Sequence, residues 1–282
     1  MDIAVSTVAF RGKSVEEIIQ IGKDEQLFLE FSSGLPFRED MISLYHSYEG
    51  PKMPHNYFPA PEIPFVLNLA SKDKFIRRAS IRHCIQGLDL TKKANGPFFA
   101  AHAGFCLDPD PNQLGQKITA EMTHSREEHM EIFFHSVREV LEYADHLNLP
   151  FLIENNVIIQ QNLLEDGTNP LLGCEHEDLL RLIQEINHPL LSILLDTAHL
   201  KVSAETLGLD LDQEMEKLRP IIGALHHSDN DGTVDNNQAF NEDYWFLPYI
   251  DYFREKVHVI EVKNIDLGML RRQENILMSG LV

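Results

Sequence analysis

Residues 190–208, LLSILLDTAHLKVSAETLG, decide the fold. Apart from Ser192 the run Leu190–Leu195 is apolar on both parities, as a strand covered on both faces must be, and it ends on Asp196. Residues of helical period follow at once, so a strand passes directly into a helix with a carboxylate at the junction.

The same pattern recurs along the chain. Apolar runs end on polar residues at Ile3–Val8, Leu27–Ser32, Phe65–Leu69, Pro97–His102, Phe151–Glu154, Leu190–Asp196, Ile221–His226 and Val257–Glu261. Helical segments separate most of them. In the clearest, Met130, Phe133, Phe134, Val137, Val140, Leu141 and Ala144 share one helix face. Ser14 with Glu17 predicts a capping box that opens the first helix, and HEDLLRLIQEIN predicts a helix before the sixth strand. Alternating strands and helices make a parallel sheet with helices outside, and eight repeats of about 35 residues close it into a barrel. The expected fold is α/β, a single (β/α)8 TIM barrel over residues 1–282, with an open doubly wound sheet as the rival. No G-x-G-x-x-G or G-x-x-x-x-G-K-[ST] run and no low-complexity linker interrupts it. Long polar segments 104–123, 155–174 and 228–243 follow the fourth, fifth and seventh strands, on the side where such barrels build their pockets.

Composition narrows the function. Lys plus Arg total 24 against 44 Asp plus Glu, a formal net charge of -20, which opposes binding to nucleic acid or an anionic membrane. Cys84, Cys106 and Cys174 are too widely spaced for a C-x-x-C pair and read as reduced thiols. With no signal-peptide pattern and no long apolar span, a cytoplasmic location is expected. Fourteen histidines among many carboxylates are the ligand types of divalent metals.

Five expected strands deliver a metal-ligand type at their C-terminal end: His102, Glu154, Asp196, His226 and Glu261. Alternation places Glu154 with Leu152, Asp196 with Leu194, His226 with Ala224 and Glu261 with Val259, so one parity can turn all of these inward. His227 then faces the helices or a loop. Carboxylates buried together cost several kcal/mol each without a cation, and few Lys or Arg lie near them in sequence.

With these residues the chain resembles the xylose isomerase-like TIM barrel superfamily, which holds sugar isomerases, ketose 3-epimerases and endonuclease IV. The resemblance runs from the first strand to Glu261. It is carried by LLDTAHLKVSAETLG, similar to a D-x-x-H turn after the sixth strand, by ALHHSDNDGTVD, similar to an H-x-x-D-x-x-G loop after the seventh, and by the I-E-N and I-E-V strand ends. It implies that Glu154, Asp196, His226 and Glu261 bind one divalent ion (Mn, Zn, Co or Mg). It also implies that Glu154 and Glu261 are the catalytic pair, moving a proton beside the carbonyl of a small sugar or sugar derivative through a metal-stabilised enediolate.

Members similar to endonuclease IV hold further zinc ions at positions matching His102, His199 and Asp235, so a second metal or a substrate contact is expected of these residues and of Asp229. Glu62, just before the expected third strand, and Asn237 stand where that pattern carries histidine; Glu62 can still ligate, whereas an amide is a poor zinc ligand. A multi-metal phosphoesterase is therefore the second reading, and a barrel that binds sugar without turnover the third. The expected partner is a small-molecule sugar, not nucleic acid or membrane, with homo-oligomerisation open. Glu30 is either a structural hydrogen-bond partner or a pocket contact. His55 reads as a loop histidine, and Tyr244, Trp245, Phe246 and Tyr249 as helix packing or as a surface for stacking on a sugar. Lys201 and Lys263, close to the motifs, read either as solvated lysines or as groups that orient a carboxylate or phosphate.

Overall fold

A computed structural model of the chain describes residues 1–113 and 117–281; residues 114–116, within the expected loop 104–123, and residue 282 lie outside the described residues. The apolar runs lie side by side as parallel strands β1 (Asp2–Ser6), β2 (Phe28–Phe31), β3 (Lys52–Pro54), β4 (Phe99–His102), β5 (Phe151–Glu154), β6 (Leu191–Asp196), β7 (Ile222–His227) and β8 (Val257–Ile260). Their order, β3-β2-β1-β8-β7-β6-β5-β4, is that of a (β/α)8 barrel opened along one seam. Across the seam the Asn56 N–H, just beyond β3, donates to the Ala100 carbonyl of β4 at 2.8 Å. That bond nearly closes the ring.

Around the strands run α1 (Val15–Glu25), α2 (Met41–Ser47), α3 (Lys74–Ala94), α4 (Arg126–Leu147), α5 (His176–Ile186), α6 (Thr197–Leu207), α7 (Leu211–Leu218) and α8 (Leu267–Ser279). Two of them open on reciprocal capping boxes, Ser14 with Glu17 and Ser125 with Glu128. The expected apolar face of α4, from Met130 to Ala144, is buried. After β7 a 3-10 segment, Leu247–Phe253, stands in for a helix. The preceding aromatics pack as expected: Tyr244 and Phe246 are buried, with rings within about 6 Å of His227. The three cysteines are buried free thiols. No described helix is long and apolar enough to cross a membrane.

The third strand is a correction. Phe65–Leu69 is not a strand, and β3 is the three-residue Lys52–Pro54, paired with β2 through Leu29↔Lys52, Glu30↔Met53 and Phe31↔Pro54. The segment 65–69 is largely buried coil in which side chains accept from two of the backbone N–H groups. Phe65 N–H donates to the Tyr57 hydroxyl at 2.7 Å, and Asn68 N–H to Ser80 Oγ at 2.8 Å. An apolar run can thus reach the core without pairing. Glu62, expected beside that strand, is exposed on the coil that precedes the segment.

Two apolar layers hold the barrel. One lies between strands and helices; the other fills the inside with Ala4, Met53, Ala100, Leu152, Leu194, Ala224 and Val259. On the outer side α3 approaches β4 closely, because a Cβ on Gly87 would lie 2.2 Å from the Phe99 ring. Gly87→Ala therefore forces helix and strand apart and lowers unfolding free energy by roughly 1–3 kcal/mol in denaturant titration, with the fold kept.

Candidate metal centre

Strand alternation builds the site. The inner apolar layer is formed by one parity of each strand, so the next residue of that parity toward the C-terminal end faces the barrel axis one level higher. Those residues are Ser6, Glu30, His55, His102, Glu154, Asp196, His226 and Glu261, one per strand. Glu30, Ser6, Asp196 and His226 are fully buried, and Glu154 is 1% exposed.

The four expected ligands converge. Glu154, Asp196, His226 and Glu261 each place a donor atom so that all four atoms lie within 4.8 Å of one another. His226 Nδ1 is 2.8 Å from Glu261 Oε2, 3.5 Å from Glu154 Oε1 and 3.9 Å from Asp196 Oδ2. Its other nitrogen, Nε2, is 3.0 Å from Glu30 Oε2. Glu30 is therefore the hydrogen-bond partner that orients this imidazole. Asp196 is held by Asn155, whose amide oxygen accepts from the Asp196 N–H at 2.7 Å and whose NH2 donates to the Asp196 carbonyl at 3.0 Å. Asp196 Oδ1 caps α6 by accepting from the His199 N–H at 2.8 Å. Its second oxygen, Oδ2, is buried with no hydrogen-bond partner among the described residues.

Electrostatics fit a cation here. Burial disfavours a charged His226, but the carboxylates of Glu30 and Glu261 outweigh it and raise the imidazole pKa well above its ordinary value. Burial, with the negative charges of Glu261, Asp235 and Glu154 against the favourable pull of His199, raises the Asp196 carboxyl to about 7. A set of three carboxylates and one imidazole, with two of its oxygens, Asp196 Oδ2 and Glu154 Oε2, lacking a hydrogen-bond partner among the described residues, suits a divalent metal ion. His227, one residue on, faces outward as expected; burial and the neighbouring His258 hold it neutral, and its Nε2 lies 2.9 Å from His258 Nδ1.

His55 is the residue that sequence reasoning misses. It is not a loop histidine away from the site: it is the inward residue at the end of β3, 3% exposed, with Nε2 3.0 Å from Glu154 Oε2. The alternation Met53, His55 is the available signal, hidden by the prolines around it. His55, His102 and Glu154 form a second donor group that shares Glu154 with the first. His199 Nε2 lies 3.4 Å from Asp235 Oδ2 at the rim. Asp229 does not join: Lys201 Nζ holds it at 2.6 Å, which also removes Lys201 from the site. Asn237 is buried and lines the cavity. Glu62 lines no cavity beside the cluster.

A cavity of about 770 Å³ opens above the cluster, touching His55, His102, Glu154, His199, Asp235 and Glu261. A second, of about 590 Å³, shares His102, His199 and Asp235.

A family model described as xylose isomerase-like TIM barrel matches residues 41–264. No curated protein matches the chain in sequence. Among solved structures, a D-tagatose 3-epimerase-like protein has a TM-score of 0.74 at 19% identity, covering 99% of this chain and 97% of its own. A Thermus thermophilus protein soaked with ZnCl2 has a TM-score of 0.66 at 19% identity, with 100% of both chains covered. Endonuclease IV from the same organism has 0.62 at 12%, covering 99% and 98%. At these identities the likeness is one of fold.

The buried charge makes a testable prediction about the metal-free protein. Asp196 has a folded pKa near 7, above the 3.8 of an ordinary Asp, so its contribution to stability is full below about pH 3.8 and is lost as pH rises through about 7. Asp196→Asn keeps an oxygen for the helix cap and deletes the charge. In chelator-treated protein at pH 8 it is expected to raise unfolding free energy by roughly 1–3 kcal/mol, and to gain little at pH 4. Equal melting behaviour of both proteins across that range would contradict the buried-charge reading.

Proposed function

Because the chain belongs to the xylose isomerase-like TIM barrel family, we propose that it is a metal-dependent isomerase or epimerase of a sugar or sugar derivative. Glu154, Asp196, His226 and Glu261 would hold one divalent ion, and Glu154 and Glu261 would be the acid and base. The observation that carries this is the convergence of those four donor atoms within 4.8 Å at the floor of a substrate-sized cavity. The epimerase-like neighbour with the same fold supports it.

When bound, a divalent ion supplies positive charge beside the substrate oxygens and so favours negative charge developing there. The protein's own groups do the rest. Glu154 from β5 and Glu261 from the end of β8 approach from different parts of the ring. One takes the proton from the carbon beside the carbonyl, and the other delivers a proton to the neighbouring atom or the opposite face. Glu30 keeps the Nε2 side of His226 engaged, leaving Nδ1 toward the three carboxylates. Asn155 fixes the Asp196 backbone, and the rim pair His199 and Asp235 can hydrogen-bond substrate hydroxyls.

The donor group of His55, His102 and Glu154 favours a second reading, a hydrolase with more than one ion, in line with the fold likeness to endonuclease IV. The net charge of -20 weighs against a polyanionic substrate and keeps sugar chemistry first.

Purified protein loaded with Mn, Co, Zn or Mg is expected to incorporate solvent deuterium into a member of a ketose panel. Glu154→Gln and Glu261→Gln should each reduce that exchange by ~100-fold or more. Two or more ions per chain with phosphoester hydrolysis and no isotope exchange would instead establish the hydrolase.

A further inference from the structure

We propose that Arg11, Lys13 and Lys263 form a subsite for an anionic group, phosphate or carboxylate, carried by the substrate. The proposal rests on the sugar reading above for the remainder of that substrate.

The cavity over the cluster has two ends. His55, His102, Glu154 and Glu261 line the inner one, and Arg11, Lys13 and Lys263 line the same cavity further out. Arg11 and Lys13 lie in the segment between β1 and α1, and Lys263 follows β8. Strands β8 and β1 are neighbours in the ring, so the three cations gather on one side of the mouth. Lys263 lies in a bend two residues beyond Glu261, and both residues line the cavity. Arg11 and Lys13 flank Gly12, whose φ of 93° is a left-handed conformation that glycine adopts without strain.

Elsewhere in this acidic chain, cations such as Arg38, Lys72, Arg126, Arg181 and Arg271 are committed to carboxylates. Arg11, Lys13 and Lys263 make no salt bridge with a described residue. Other cations, such as Lys23, Lys92 and Lys256, also lack an ion pair among the described residues, but Arg11, Lys13 and Lys263 are the Lys and Arg residues that line this cavity. Their donors remain available to a ligand in the cavity.

The opposite side of the mouth is different in kind. The second cavity is walled by Tyr57, Phe65, Val66, Phe105 and Leu171, with no Lys or Arg among the described residues that line it. An anionic substituent therefore has one side on which to sit, and the reacting part of the same molecule can reach the carboxylate cluster. Charge-assisted hydrogen bonds to such a group discriminate strongly against a ligand lacking it.

The test uses metal-loaded protein with two readouts. In calorimetry with inorganic phosphate and with acetate as probes, the triple variant Arg11→Met, Lys13→Met, Lys263→Met should bind the preferred anion about tenfold or more weakly, with metal content and melting temperature unchanged. In deuterium exchange, wild type should prefer either ketose phosphates or keto sugar acids over free ketoses, the better class identifying the group, and the variant should lose that preference. Unchanged anion affinity in the variant would overturn the subsite, as would equal exchange of free and anionic ketoses by wild type. If the variant loses anion binding while wild type exchanges no ketose of any class, the subsite stands and the isomerase reading fails.

Discussion

Eight parallel strands bent into a ring aim one side chain each at a common axis, and at the mouth of this barrel that level is almost entirely ionisable. Glu30, His55, His102, Glu154, Asp196, His226 and Glu261 meet there with little water, because most of them are fully or nearly fully buried. Charges placed so close in a weakly polar interior must be compensated. That constraint shapes the rest: the imidazoles interleave with the carboxylates, Asn155 clamps the Asp196 backbone, and His226 stands between Glu30 and Glu261.

Compensation by protein groups alone is incomplete. Asp196 Oδ2 remains without a hydrogen bond among the described residues, and burial raises the carboxyl to about 7. A scaffold selected only for stability would replace such residues with apolar ones of similar size. The strain is local, since the layer directly beneath is an apolar plug of Ala4, Met53, Ala100, Leu152, Leu194, Ala224 and Val259. The plug fixes the strand ends, and the loops above them are left to shape the two cavities.

Much of this is legible in the sequence for a specific reason. Glu154, Asp196, His226 and Glu261 each end an apolar run long enough to identify as a strand, so parity alone predicts that they converge. His55 fails that test because β3 is only Lys52–Pro54, begins with a charged residue and ends in proline. The true apolar run nearby, Phe65–Leu69, is core-forming coil held by Tyr57 and Ser80, contacts between residues too far apart to read from local pattern. Glu62 is misplaced with it. Asp229 matches a motif spacing, yet the side chain goes to Lys201, a partner on α6 that spacing does not reveal. The grouping of Arg11, Lys13 and Lys263 requires the ring order, which brings the two ends of the chain together at β1 and β8.

The central claim is that Glu154, Asp196, His226 and Glu261 together bind a metal ion. Anomalous diffraction from crystals grown with Mn, collected on both sides of the metal absorption edge, tests it most directly. The expected result is an edge-dependent peak at roughly 2.0–2.3 Å from one oxygen of each carboxylate and from His226 Nδ1. No peak there under saturating metal, or a peak only beside His55 and His102, would contradict it.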